Sequence, residues 1–142
     1  MGHTGSVLTG VLTGAAVLLA ATAFGLAWRR RNGRLRAPAT GERLTVGDLG
    51  VPLGERVTLV QFSTAFCQPC RATRRILADV AAMTDGVVHA EVDAESHLPL
   101  VRRLGVLRTP TVFVLDRDGR IVRRASGQPR KADVIAALGD AV

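Results

Sequence analysis

The feature that most constrains the fold of this chain is the position of its two cysteines, the only two in the sequence. They form the motif Cys67-Gln68-Pro69-Cys70, between a short apolar segment and a segment with helical periodicity. A thiol in the first turn of a helix lies near free backbone N–H groups and the positive end of the helix dipole, which favour its thiolate form. The second thiol lies about one turn later on the same face. The motif therefore predicts a dithiol that forms and breaks a disulfide.

The segments on either side of the motif predict a strand followed by a helix. Residues Val57–Ser63 are mostly apolar and β-branched, which is typical of a buried central strand. After Pro69, apolar residues recur on one predicted helix face: Ala72, Ile76 and Val80, with Leu77 and Met83 beside them. Three arginines are predicted to point outward: Arg71, Arg74 and Arg75. This context makes the Cys-x-x-Cys spacing far more specific than it is alone.

Two other uses of paired cysteines fit the sequence less well. A structural zinc site needs four ligands, but there is no second cysteine pair and the histidines (His3, His89 and His97) are scattered. A purely structural disulfide across so short a loop would remove little entropy from the unfolded chain. The redox interpretation is therefore preferred.

The N-terminal part of the chain predicts a membrane anchor. Residues 7–28, from Val7 to Trp28, contain no charged side chain, and this stretch exceeds the roughly 20 residues that cross a bilayer as a helix. The alternative is a cleaved signal peptide, for which Ala21-Thr22-Ala23 resembles a cleavage site. No Lys or Arg precedes the apolar run, however, and the run is longer than a signal core. We expect a short tail and a transmembrane helix over residues 1–28.

The net charge of +7 arises mainly next to this predicted span. Five arginines follow it closely: Arg29, Arg30, Arg31, Arg34 and Arg36. Without them, fourteen basic residues face twelve acidic ones, so the remainder carries a net charge of only +2. This distribution argues against nucleic-acid binding and predicts contact with anionic lipid. Because positive charge stays on the cytoplasmic side, it also predicts a cytoplasmic C-terminal domain, with the extracytoplasmic side as the alternative.

The rest of the chain predicts a basic linker over residues 29–43 and one α/β domain over residues 44–142. After a short helix or turn at 44–49, the pattern predicts strands at 57–63, 87–93, 111–115 and 120–124 and helices at 70–83, 98–104 and 130–138. Asp116 to Gly119 has the composition of a hairpin turn. The inward residues predicted for the last two helices are Leu100, Val101, Leu104, Val134, Ile135 and Leu138.

This order of elements, with Cys-x-x-Cys at the start of the first long helix, resembles the thioredoxin fold from about Leu44 to Val142. A second landmark is Thr109-Pro110, directly before a strand, where thioredoxin-like proteins keep a cis-proline that faces the dithiol. The resemblance implies a mixed central sheet flanked by helices, here preceded by one N-terminal transmembrane helix. It implies a thiol–disulfide oxidoreductase that needs no cofactor and acts on protein disulfides or thiols.

The resemblance also implies individual roles. Cys67 would be the exposed nucleophile, and Cys70 the buried thiol that resolves the mixed disulfide. Pro110, with the backbone of Thr109, would hold the substrate chain, beside Phe66 and Pro69. We expect a membrane-tethered monomer that acts as a reductant, with partners that include membrane proteins.

Three positions depart from the family pattern. Phe66 stands where the family usually has Trp, Gln68 where thioredoxin has Gly, and Gln61 where thioredoxin buries an acidic residue that helps to deprotonate the resolving cysteine. Because an amide takes no proton at neutral pH, the role of proton acceptor passes to His89, to Glu91 or to water. For His89 itself, an ordinary strand histidine is the preferred interpretation, and the role of acceptor is the alternative.

Two further functions remain open. Thr64-Ala65-Phe66-Cys67 matches the Thr-x-x-Cys core of peroxiredoxins, a class of thiol peroxidase, although their proline four residues before the threonine is Val60 here. Thr64 is otherwise expected to cap the helix. The second alternative is a non-catalytic, membrane-tethered docking domain with a vestigial dithiol.

Overall fold

The computed structural model describes residues 3–38 and 41–142, with the backbone alone at residues 3 and 4. The chain divides into two compact units, Met1–Arg31 and Asn32–Val142. The first contains helix α1 (His3–Arg31), in which Gly5–Arg31 is a candidate membrane span of 27 residues by length and composition. A signal sequence near the N-terminus would meet the same criteria. The hydroxyls of Thr9, Thr13 and Thr22 each donate to the carbonyl four residues earlier, 2.8 Å away, so they are satisfied within the helix.

The second unit has the predicted order of elements. They are α2 (Val46–Leu49), β1 (Val57–Ser63), α3 (Gln68–Ala82), β2 (Val87–Asp93), α4 (Leu98–Arg103), β3 (Thr111–Asp116), β4 (Ile121–Ser126) and α5 (Lys131–Ala141). The sheet has the order β2-β1-β3-β4, in which β2 runs parallel to β1 and the other neighbours are antiparallel. The predicted mixed central sheet flanked by helices is therefore confirmed.

Strand β1 is buried along its whole length because apolar layers cover both faces of the sheet. On one face, Leu59 belongs to the cluster that contains Leu77 and Val80 of α3. On the other, Phe62 packs edge-on against Phe113, with 5.7 Å between ring centroids. A strand buried on both sides needs a nearly continuous apolar sequence, which is how this segment was predicted.

Two residues predicted to face the core are exposed. Met83 is 61% exposed because α3 ends at Ala82 and Met83 lies at its C-cap. Ile135 is 46% exposed because α5 buries the stripe Val134, Ala137, Leu138 and Ala141, on which Ile135 does not lie. On α3, Ala72 and Ile76 are only partly buried, whereas Thr73 is fully buried.

The basic segment that was predicted as a tether pairs with β4 in its described parts. Gly33 N donates to Ser126 O (2.9 Å), and Arg36 exchanges two backbone hydrogen bonds of 2.8 Å with Arg124. Further on, Glu42 O accepts from Ile121 N (2.9 Å). Residues 39 and 40 lie outside the described residues. The segment supplies backbone partners to an otherwise open edge of the sheet, and the second compact unit accordingly begins at Asn32 rather than at Leu44.

Candidate redox site

The dithiol lies at the start of α3, after the short loop that follows β1. Cys67 is the N-cap of α3, and its Sγ accepts a hydrogen bond from the N–H of Cys70 (3.2 Å). Pro69 lies in the first turn, where a helix needs no N–H from it. The prediction that Thr64 caps this helix was wrong, because a cap must directly precede the first turn and that position belongs to Cys67.

The two cysteines are joined in a disulfide, with 5.2 Å between their Cα atoms. Cys67 is partly exposed, whereas Cys70 is only 1% exposed. Phe66 is fully exposed beside the pair, and Pro69 is also exposed. One sulfur can therefore be reached from solvent and the other lies behind it.

The Pro110 loop, residues 108–110, lies next to the segment that leads into the dithiol. The Thr109–Pro110 peptide bond is cis, as predicted, and Pro110 is buried. The hydroxyls of Thr64 and Thr109 are 3.2 Å apart and form a hydrogen bond between the two loops. Thr64 therefore links the dithiol segment to the Pro110 loop, a role that its Thr-x-x-Cys spacing does not suggest.

A cleft of about 420 Å³ opens beside the disulfide and is lined by both cysteines. Its other walls include side chains of both charges: Arg71, Arg74, Glu91, Asp93 and Glu95. Of these, the sequence singled out only Glu91 as a site residue. Because alternate residues of a strand share a face, the placement of Asp93 beside Glu91 could have been inferred from β2.

Gln61 lies beneath the dithiol, where the resemblance puts the buried acid of thioredoxin. Its side chain is completely buried, and Nε2 donates to the carbonyl of Cys70 (2.9 Å). Its Oε1 has no hydrogen-bond partner among the residues that the structure describes. The side chain therefore fixes the backbone of the second cysteine but leaves one buried acceptor unpaired.

Glu91 is held in its charged form by two neighbours. Its carboxylate accepts from Ser63 Oγ (2.5 Å) and from two nitrogens of Arg74 (2.6 and 2.7 Å). Burial opposes ionisation, but these hydrogen bonds outweigh it and keep the pKa of Glu91 below its usual 4.5. Glu91 thus has the position expected of a proton acceptor, within the cleft, but it is a weak base.

His89 has the complementary properties. It lies two residues earlier on β2, and burial lowers its pKa from 6.5, against the opposing charge of Glu91. Its buried Nε2 has no partner within the described part of the chain. It is neutral near neutral pH and can accept a proton, but it does not belong to the wall of the cleft. The two predicted acceptors therefore lie on the same face of β2, but only Glu91 lines the cleft.

Comparison with known proteins gives one consistent result. The sequence model of the family described as Thioredoxin matches residues 51–140. A thioredoxin from Alicyclobacillus acidocaldarius is 31% identical over 88 residues, which cover 61% of this chain and 83% of that protein. Human thioredoxin domain-containing protein 2 is 27% identical over 84 residues, 59% of this chain, but this chain spans only 15% of that protein's length.

Solved structures agree on the fold. A mutant thioredoxin from Halobacterium salinarum NRC-1 superposes with a TM-score of 0.55 at 23% identity, over 61% of this chain and 75% of that one. The matched part of the sequence includes the dithiol, Gln61 and the Pro110 loop, and it excludes α1 and the segment paired with β4.

Proposed function

This chain is a thiol–disulfide oxidoreductase of the thioredoxin family, and from that premise we propose that it is tethered to the membrane and reduces disulfides of protein substrates. The observation that carries the proposal is the unequal exposure of the two sulfurs. Cys67 is accessible at the helix N-cap, and Cys70 is buried directly behind it. This arrangement supports attack by Cys67 and resolution by Cys70, because the second step needs no further access from outside.

The exchange proceeds in two displacements. The Cys67 thiolate attacks one substrate sulfur, the substrate S–S bond breaks, and the other substrate sulfur leaves as a thiolate that takes up a proton. Cys70 then loses its proton and attacks the Cys67 sulfur, which releases the second substrate thiol and forms the Cys67–Cys70 disulfide. The substrate gains two electrons and the enzyme loses two. A separate dithiol or reductase must therefore restore the reduced enzyme.

Substrate proteins are proposed to bind across Pro110 and Thr109, beside Phe66 and Pro69. Two large apolar side chains next to these landmarks support a protein ligand: Phe66 is 100% exposed and Leu107 is 95% exposed. Exposed apolar side chains of this size beside a reactive group are typical of sites that take up another chain. The family acts on protein disulfides, and membrane attachment would favour disulfides of membrane proteins.

Proton acceptance from Cys70 is proposed for either His89 or Glu91, directly or through water. Glu91 lines the same cleft as the two cysteines, whereas His89 does not line it but is the better base near neutral pH. The pH dependence of the resolving step distinguishes them. If His89 is the acceptor, the pH profile of the His89→Gln variant loses the limb that falls below pH 6.5. If Glu91 is the acceptor, the profile of Glu91→Gln loses the limb that falls below pH 4.5.

Reduction of insulin by the full chain with excess dithiothreitol tests the redox proposal. Cys67→Ser should abolish turnover. Cys70→Ser, reduced first and then mixed with insulin after dithiothreitol has been removed, should accumulate mixed disulfides between Cys67 and the substrate. Iodoacetamide at neutral pH should label Cys67 before Cys70 in the reduced protein. Preferential labelling of Cys70 would reverse the roles. If the chain does not accelerate insulin reduction beyond the rate with dithiothreitol alone, the docking alternative is favoured. Faster turnover with hydrogen peroxide than with insulin would favour the peroxidase.

Membrane attachment is proposed through α1, with the redox domain in the cytoplasm. The arginines in its last turn, Arg29, Arg30 and Arg31, support this orientation. Farther on, Arg34 and Arg36 line a cleft of about 510 Å³ together with Arg123 and Arg130. Asp133 and Asp140 also line this cleft, and Asp140 is ion-paired with Arg123. The remaining excess of positive charge supports contact with anionic lipid.

A reporter fusion tests the orientation. Alkaline phosphatase fused after Val142 should be inactive, because it works only outside the cytoplasm. Activity in the native fusion would place the domain on the extracytoplasmic side, where an oxidising role becomes the better proposal. Replacement of the five arginines at 29–31, 34 and 36 by Asn and Ser should weaken the orientation and raise phosphatase activity.

A further inference from the structure

The Pro110 loop is attached to the first residue of the redox unit through one arginine. Arg108 Nη2 donates both to Oδ1 of Asn32 and to the carbonyl of Ser126 (2.9 Å). Asn32 directly follows the last residue of α1 and lies 76 positions before Arg108. Within the redox unit, one guanidinium therefore joins Asn32, the end of β4 and the loop that carries Pro110.

Two glycines keep this junction closely packed. Gly127 N donates to Pro110 O (2.7 Å), and its φ of +99° is one that other residues rarely adopt. A Cβ on Gly127 would lie 2.6 Å from Asn32 Oδ1, so the amide of Asn32 rests directly on this backbone. At Gly33, with φ +76°, a Cβ would lie 1.9 Å from Gln128 O. Asn32 therefore fits only because Gly127 has no side chain, and Gly33 can approach Gln128 only because it has none itself.

We propose that Asn32 and Arg108 are positioning residues for the substrate-binding loop, so that the segment joining α1 to the domain is a working part of the redox site. This inference rests on the proposed role of Pro110 in substrate binding. It adds Asn32 as a residue that affects substrate binding from outside the part of the chain matched by the thioredoxin family, since that match begins at residue 51. Neither residue is a catalytic residue, because each acts through Pro110.

Removal of the Arg108 side chain should shift the Pro110 loop rather than unfold it. The backbone of Arg108 is held independently, because its carbonyl accepts from Thr111 Oγ1 (2.7 Å). Thr109 keeps its hydrogen bond to Thr64. Loss of the guanidinium contacts should therefore leave the chemistry at sulfur intact and weaken the binding of an extended substrate chain, which contacts the loop directly.

The test measures steady-state reduction of a disulfide-bonded peptide by the full chain in lipid nanodiscs, with excess dithiothreitol. Asn32→Ala and Arg108→Ala should each raise the peptide KM about three- to tenfold, the effect of losing one or two hydrogen bonds. Turnover of bis(2-hydroxyethyl) disulfide, which is too small to span the loop, should stay within about twofold of wild type. Both residues act through one contact. The peptide KM of the double variant should therefore be no higher than that of the single variant with the higher KM.

Two controls and one substitute variant distinguish positioning from general destabilisation. Asn32→Asp keeps an oxygen acceptor for Arg108 and should retain the wild-type KM. Arg117→Ala removes an exposed arginine from the β3–β4 turn and should have no effect. Should Arg108→Ala fail to fold, Arg108→Lys, which cannot donate in two directions from one planar group, replaces it.

Several outcomes would overturn the inference. One is an unchanged peptide KM in both single variants. Another is an equal loss of activity with the peptide and with the small disulfide, accompanied by a lower melting temperature. Pro110→Ala separates the two proposals. If it raises the peptide KM while the Asn32 and Arg108 variants do not, the present inference alone fails; if it leaves the KM unchanged, the proposed role of Pro110 fails.

Discussion

Replacing Gln61 with leucine should leave the redox unit as stable as wild type or more stable, by up to about 2 kcal/mol. The variant loses the hydrogen bond from Nε2 to the Cys70 carbonyl, a net contribution of about 1 kcal/mol. It also removes the buried Oε1 that has no partner among the described residues, and such a group costs about 1–3 kcal/mol. The Cys70 carbonyl keeps its helical partner four residues later, so no new unpaired group arises.

A matched variant on the same strand should show the opposite effect. Thr58 is also completely buried, and its Oγ1 accepts from the N–H of Gly54 (2.8 Å). Thr58→Val keeps the shape of the side chain but leaves that buried N–H without its acceptor, which should destabilise the unit by about 1–3 kcal/mol. The two variants therefore test whether pairing, rather than polarity itself, decides the effect of a buried polar group.

Urea unfolding of the full chain, followed by far-UV circular dichroism, measures both effects. Fluorescence is unsuitable because the only tryptophan, Trp28, lies in α1. With a denaturant slope of about 1–3 kcal/mol per molar urea, a change of 1 kcal/mol moves the midpoint by roughly 0.3–1 M. A loss of more than about 1 kcal/mol in Gln61→Leu would refute the reasoning, because Oε1 would then have to be stabilised by a partner.

Two predictions concern stability against pH. Because burial holds the pKa of His89 below 6.5, the unfolded state takes up its proton first on acidification; stability should fall as the pH drops below about 6.5 and level off at the folded pKa. His89→Gln should abolish this fall between pH 8 and 5.5, and His97→Gln, at an exposed position, should keep it. Asp48 completes the capping box of α2 by accepting from Thr45 N (2.8 Å). Partial burial of Asp48 raises its pKa, but this hydrogen bond and an ion pair with Arg103 outweigh burial and keep the pKa below 3.8. Asp48→Asn should therefore destabilise the unit by about 0.5–1 kcal/mol at pH 7, and the difference should vanish as the pH falls through that lowered value; an unchanged difference at pH 2.5 would contradict this.

Local sequence patterns determined the order of elements and the bounds of two strands. Val57–Ser63 and Val87–Asp93 were predicted to the residue, because short apolar runs between turn-forming residues leave little freedom for their ends. The dithiol could also be predicted directly, since the chain has one pair of cysteines between a strand and a helix. The ends of the helices were predicted less accurately than those two strands. The first turn of α3 is capped by Cys67 itself, which is not among the residues that usually signal a cap.

Tertiary structure decided the surroundings of the dithiol. Glu91 meets Arg74 across 17 positions, and Arg108 meets Asn32 across 76. Neither contact leaves a periodic trace in the sequence, because each depends on how separate elements pack. The pairing of the basic segment with β4 is a similar case: charge and Gly/Pro content predicted a tether, whereas the open edge of the sheet supplied backbone partners that composition does not reveal. Sequence therefore determined which groups perform the chemistry, through short-range patterns that fix strands, helices and their order. Only the folded chain determined which distant side chains hold those groups in place.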